Sequence, residues 1–148
     1  MVYSNMANGV IVVSHASLAS GVYSAIKMIA GEFENVRVLE FKENDNLEEL
    51  DQKIKEAYEE LSSYENVLVL ADLAGGTPFN RSVMSIGDKA NVRVIGGLNF
   101  AALFTAINSV SSDLDEAVRE VIDEAKGSIM AYEVETISND DVEDIDGI

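Results

Sequence analysis

Apolar residues follow two rhythms along the chain. Some runs are short, continuous and rich in β-branched residues. Gly9-Val10-Ile11-Val12-Val13-Ser14 is one, and Asn-Val-Leu-Val-Leu-Ala over Asn66 to Ala71 is another. Such runs suit strands covered on both faces, as in a parallel sheet. Asn35 to Phe41 and Asn91 to Gly96 read as two further strands. Between them the apolar positions recur at helical spacing. Leu18, Val22, Ile26 and Ile29 make one stripe, with Gly31 as its stop; Leu47, Leu50, Ile54, Ala57, Tyr58 and Leu61 make a second, after a capping Asn44-Asp45-Asn46. Thr77 as N-cap and Pro78, the only proline, as first helical residue start a helix to about Ile86. Asn99 to Val110 is helical. Asp113 caps a last helix to about Lys126, with Leu114, Val118, Val121 and Ile122 inward and Gly127 as its stop. Ser128 to Val134 is a final short strand, free to pair as an antiparallel edge or with another subunit. This order predicts an α/β fold: a doubly wound, mostly parallel sheet with helices on both faces.

Bulk properties narrow the function. A length of 148 residues suits one domain, and 47% apolar residues supply one core. The chain has no cysteine, so disulfides and thiolate metal sites are excluded. Met1 to Asn8 carries no Lys or Arg and no apolar run, so it reads as a flexible start and not as a signal peptide. No apolar stretch is long enough to span a bilayer. The expected location is the cytoplasm, without membrane insertion. A formal net charge of −17 argues against binding nucleic acid or an anionic membrane. Part of that charge is local: Asp140, Asp141, Glu143, Asp144 and Asp146 crowd residues 135–148 with no Lys or Arg. That stretch reads as a solvated, disordered tail or a linker stub, leaving residues 9–134 as the folded domain.

The chemistry-bearing residues fall where an open parallel sheet builds sites, beyond the carboxyl ends of its strands. His15, the only histidine, follows the first strand; Asp72 ends the third; Gly75-Gly76-Thr77 turns into the next helix. If those two strands are neighbours, Asp72 can accept a hydrogen bond from one ring nitrogen and leave the other as a nucleophile. Backbone N–H groups near Gly75, Gly76 and Thr77, and at the start of the helix after Ser17, would then face a phosphoryl group, with the Thr77 hydroxyl as a further donor. Blander readings exist. Asp72 can be a turn cap, the two glycines need only make a tight turn, and Thr77 serves as an N-cap with any ligand role additional. A Ser-His-Asp hydrolase would need Ser14 or Ser17 as nucleophile with His15 and Asp72. Nothing resembles a Walker-type or dinucleotide-binding glycine motif. One histidine and scattered carboxylates make a poor metal site, so no metal and no cofactor are expected.

Three segments resemble the IIA component of the mannose family of the bacterial sugar phosphotransferase system (PTS). They are Gly9 to His15 with Ala19-Ser20-Gly21 after it, Val69 to Asn80 (Val-Leu-Ala-Asp-Leu-Ala-Gly-Gly-Thr-Pro-Phe-Asn), and Val94-Ile95-Gly96-Gly97-Leu98-Asn99. The resemblance implies that His15 is phosphorylated on Nε2 by the phosphocarrier HPr and passes the group to a IIB component, and so to a sugar entering through a membrane IIC/IID complex. It implies that Asp72 holds the other ring nitrogen and that Thr77, where many members have serine, helps hold the phosphate. It also implies a homodimer in which a C-terminal strand, here Ser128 to Val134, is exchanged, and a IIB on a separate chain. Leu18, Leu73 and Phe79 would be rim contacts for these partners or else core residues. The alternative within the same chemistry is a phosphoacceptor module feeding dihydroxyacetone kinase or a regulatory system; the Gly-Gly-Thr-Pro-Phe-Asn run favours the transport branch.

Overall fold

Four strands lie side by side, all parallel, in the order β2-β1-β3-β4. The computed structural model describes residues 7–135. The elements are β1 (Asn8–His15), α1 (Leu18–Ala30), β2 (Val36–Phe41), α2 (Leu47–Glu60), β3 (Asn66–Ala71), α3 (Thr77–Ile86), β4 (Val92–Gly96), α4 (Phe100–Asn108) and α5 (Leu114–Gly127). The chain first winds outward from β1 to β2, then crosses to the other side of β1 and continues through β3 to β4. The reversal falls between β1 and β3, which is where sheets of this kind open a crevice at their carboxyl edge.

The continuous apolar runs are explained by burial on both sides. Val10 and Val12 of β1, with Leu68 and Leu70 of β3, pack under α1, α4 and α5. Ile11 and Val13, with Val67, Val69 and Ala71, face α2 and α3. Removing each large aliphatic side chain from water contributes roughly 1.5–3 kcal/mol, and this term holds the two layers to the sheet. Helix starts are set by side chains that accept otherwise orphaned N–H groups. Asn46 accepts from Glu49, Asn99 from Ala102, and Asp113 from Glu116. The amino end of the sheet is tied down by buried asparagines. Asn35 Nδ2 donates to the carbonyls of Asn8 and Ile107, and Asn66 Nδ2 to that of Ser112.

The structure departs from the sequence expectations in three places. The helix starting after Asn99 ends at Asn108, two residues short of Val110. The N-cap of α3 is Gly76 and not Thr77, which is itself the first helical residue with Pro78 second; no side chain caps this helix. Ser128 to Val134 forms no strand and joins no sheet among the described residues. It runs on from α5 with Ile129, Met130, Tyr132 and Val134 all exposed. A strand needs a neighbour to satisfy its ladder, and among the described residues this segment lies beside none. Residues 1–6 and 136–148, including most of the flexible start and acidic tail expected above, lie outside the described residues.

Candidate functional site

β1 and β3 are neighbours, with Val13 opposite Ala71 in register; β3 ends there, while β1 runs two residues further against β2 to His15. One oxygen of Asp72 then binds His15 twice. Oδ2 accepts from the His15 backbone N–H at 3.1 Å and lies 2.9 Å from ring Nδ1. The backbone bond fixes where the histidine stands, and the ring bond fixes how it turns. With an ionised carboxylate as partner, Nδ1 carries the proton and Nε2 keeps its lone pair. The His15 side chain is 45% exposed against 12% for Asp72, so the orienting group is sheltered while the ring stays open to solvent. Asp72 Oδ1 is buried without a hydrogen-bond partner, so the carboxylate's bonding within the site is concentrated on His15.

Alternation along β1 sends His15 to the same face as Ile11 and Val13, toward α3. The ring lies directly against Gly76. A Cβ built there would stand 2.9 Å from His15 Cε1, the carbon between the two ring nitrogens. This explains why glycine caps α3: the space a capping side chain would leave from is filled by imidazole. The turn is held by other bonds. Gly75 takes φ +83, a left-handed backbone that suits a residue without Cβ. Gly76 N–H donates to the Leu73 carbonyl at 3.0 Å, and Asn80 Nδ2 to the Gly75 carbonyl at 2.9 Å. α3 is anchored to α2 by Arg81, which binds Asp51 through both Nε and Nη2. The Arg81 guanidinium holds the Asp51 carboxyl below the usual aspartate range, against the effect of its burial.

The donors expected to face a phosphoryl group divide sharply. Gly76 N–H is already committed to Leu73. At the start of α1, Ala19 N–H donates to the buried Ser14 Oγ at 2.7 Å, and Ser20 N–H to Glu40 Oε2 at 3.1 Å. Ser17 is the N-cap of α1, yet its hydroxyl caps nothing. The first turn of α3 is open: the N–H groups of Thr77 and Phe79 have no acceptor within the helix, and Pro78 has none to offer. Leu18 and Leu73 stand 48% and 60% exposed near these turns, whereas Phe79 packs on the core under α3.

Glu40 was not legible as a site residue in the sequence. It is the penultimate residue of β2, Val-Arg-Val-Leu-Glu-Phe, a strand that also carries Arg37, so its charge alone does not single it out. Its Oε2 also accepts from the Ser20 hydroxyl at 2.6 Å. That bond holds the Glu40 carboxyl below the ordinary glutamate range, with partial burial opposing it and the Ser20 N–H and Lys42 assisting. The hydrolase reading loses one of its two candidate nucleophiles, because Ser14 is fully buried, bonded to α1, and on the face of β1 opposite to His15. Among the described residues no group of three or more His, Cys, Asp or Glu is gathered as a metal site, and no helix is long and apolar enough to cross a membrane.

This geometry meets its relatives in a family model described as the PTS system fructose IIA component, which matches residues 9–124. The chain belongs to the mannose-type PTS IIA family. It is 27% identical over 134 residues to the PTS system mannose-specific EIIAB component of Escherichia coli strain K12; the match takes in 89% of this chain but 42% of that longer protein. It is 29% identical to the PTS system sorbose-specific EIIA component of Lacticaseibacillus casei, over 76% of this chain and 82% of the relative. Its fold superposes on the mannose/sorbose-specific IIA subunit of Enterococcus faecalis with a TM-score of 0.80, at 27% identity, covering 90% of this chain and all of that one. The doubly wound, all-parallel sheet is therefore the IIA fold.

Proposed function

We propose that this IIA is the phosphocarrier of a sugar PTS, with His15 as its phosphoryl acceptor and donor. The observation that carries the reading is the engagement of Nδ1 by the sheltered Asp72 carboxylate, which leaves Nε2 as the ring's free lone pair. In the forward step, Nε2 attacks the phosphorus of a phosphohistidine on HPr. The donor's N–P bond breaks as the new one forms, and the departing imidazole keeps the electron pair. In the second step a IIB nucleophile attacks the same phosphorus, and Nε2 leaves as neutral imidazole while Asp72 retains Nδ1–H. Donor and acceptor are alike in energy, so the protein's task is to position the groups and to screen charge.

The phosphoryl oxygens would rest against the first turn of α3, with the Thr77 and Phe79 N–H groups and the Thr77 hydroxyl as donors. The helix N-terminus there adds roughly 0.3–1 kcal/mol of anion stabilisation. At the start of α1 the Ala19 and Ser20 N–H groups take no such part, since Ser14 and Glu40 accept from them, and the Ser17 hydroxyl, which caps nothing, is a further candidate donor. Leu18 and Leu73 would meet HPr and IIB in turn. The IIC/IID complex is reached only through IIB, and the working place is the cytoplasm. A homodimer formed by strand exchange is part of the same reading. The free edge of β4, one of the sheet's two, and the exposed Ile129, Met130, Tyr132 and Val134 support it as the two sides such a contact would need.

The test is phosphoryl transfer. With phosphoenolpyruvate, enzyme I and HPr, the intact mass should rise by one phosphoryl group that acid removes. His15→Ala should show no gain; a gain in that variant would place the acceptor elsewhere.

A further inference from the structure

The third motif, Val94 to Asn99, contributes nothing to the site as described so far, yet its glycine lies under the loop that builds it. Gly96, the last residue of β4, pairs with Ala71, the residue before Asp72. A Cβ on Gly96 would stand 2.6 Å from Ala74 Cβ, 2.7 Å from Ala74 Cα and 2.8 Å from Ala74 N. Two of those atoms are backbone, so no side-chain rotation relieves the clash. The chain after Asp72 therefore folds back onto the end of β4 at a distance only glycine permits. Two residues beyond Gly96, Leu98 N–H donates at 3.0 Å to the carbonyl of Ala71, the residue Gly96 pairs with, holding the end of β3 from which the loop departs.

We propose that Gly96 is a positioning residue for the His15–Asp72 pair. It sets the height of the 72–76 loop above the sheet, and that loop carries both groups that fix the ring: the Asp72 carboxylate on Nδ1 and the Gly76 backbone against Cε1. Lifting the loop at Ala74 moves both together. A side chain at position 96 thus acts on the ring across the loop without touching it. The proposal deepens the phosphocarrier reading, but its test reads ring geometry and needs no transfer.

The experiment uses 15N-labelled chain in mildly alkaline buffer and reads the two ring nitrogens of His15 by NMR. Wild type should show one fixed tautomer, protonated at Nδ1. Gly96→Ala should show mixed tautomers and displaced amide signals over 72–76, with phosphorylation by phospho-HPr slowed about 10-fold or more. Gly31→Ala serves as a control, because Gly31 has φ +86 with open space around it at the far end of α1 and its substitution strains the backbone without touching the loop. It should leave the ring signals unchanged. If Gly96→Ala fails to fold, Ala74→Val presses the same contact from the exposed side of the loop and should give the same ring signature. Wild-type ring signals in a folded Gly96→Ala or Ala74→Val protein would overturn the proposal, as would equal displacement in Gly31→Ala. A wild type without a fixed tautomer would instead sink the phosphocarrier reading itself.

Discussion

At the scale of single residues, the site is a ring fixed at two points. Asp72 holds one edge by hydrogen bonding, and Gly76 limits the other by contact. Asp72→Asn should keep the fold, since the amide can still occupy the space, but its NH2 group can donate where the carboxylate could only accept. The ring tautomer is then no longer imposed, and the rate of phosphorylation by phospho-HPr should fall about 100-fold. Stopped-flow or quench-flow transfer kinetics check this; an unchanged rate removes the orienting role. Gly76→Ala should slow the same step about 10–100-fold with a near-normal melting temperature, because the ring must swing off Asp72 to clear a Cβ 2.9 Å away. His15, Asp72 and the turn glycines were legible in the sequence because a lone histidine and a carboxylate each end an apolar run. The division of labour among them was not. Thr77 reads as the better N-cap by residue preference, and only the ring pressed on Gly76 shows why glycine holds that position.

At the scale of elements, the two helices that start at the rim behave oppositely. In the first turn of α1, Ser14 from β1 accepts from Ala19 N–H and Glu40 from β2 from Ser20 N–H, while α3 is capped by no side chain. Glu40 is 16% exposed and its carboxyl is held below the usual range by the Ser20 hydroxyl. A carboxyl with a lowered folded-state pKa stabilises the fold above the ordinary glutamate value and loses that contribution as pH falls through the lowered one. Glu40→Gln should therefore cost about 0.5–1 kcal/mol near neutral pH and flatten the acid side of the stability curve. Denaturant melts across the acid range test it; parallel wild-type and variant curves would contradict it. Element placement was legible where hydrophobic rhythm alone decides it. The strand Asn66–Ala71 and the caps Asn46 and Asp113 stand where periodicity and capping preference place them. Glu40 was not legible, because its role comes from the parallel pairing of β2 with β1, which sets it opposite Ser14 beside the start of α1.

At the scale of the whole molecule, two faces of apolar packing carry the fold, and both edges of the sheet, β2 and β4, have no further strand beside them among the described residues. Local pattern marks residues 128–134 as a strand, but among the described residues they pair with no strand; which edge a strand takes is a tertiary property and is not read from local pattern. Deleting residues 128–148 should leave a folded protein that sediments as a monomer, where the full chain sediments as a dimer; a full chain that sediments as a monomer would contradict strand exchange. The central claim concerns one nitrogen, and the phosphorylated protein reports on it directly. In 15N- and 31P-resolved NMR of the chain charged by phospho-HPr, phosphorus should couple to Nε2 of His15, with a proton retained on Nδ1. Coupling to Nδ1, or a phosphoryl group on any other residue, would contradict the account.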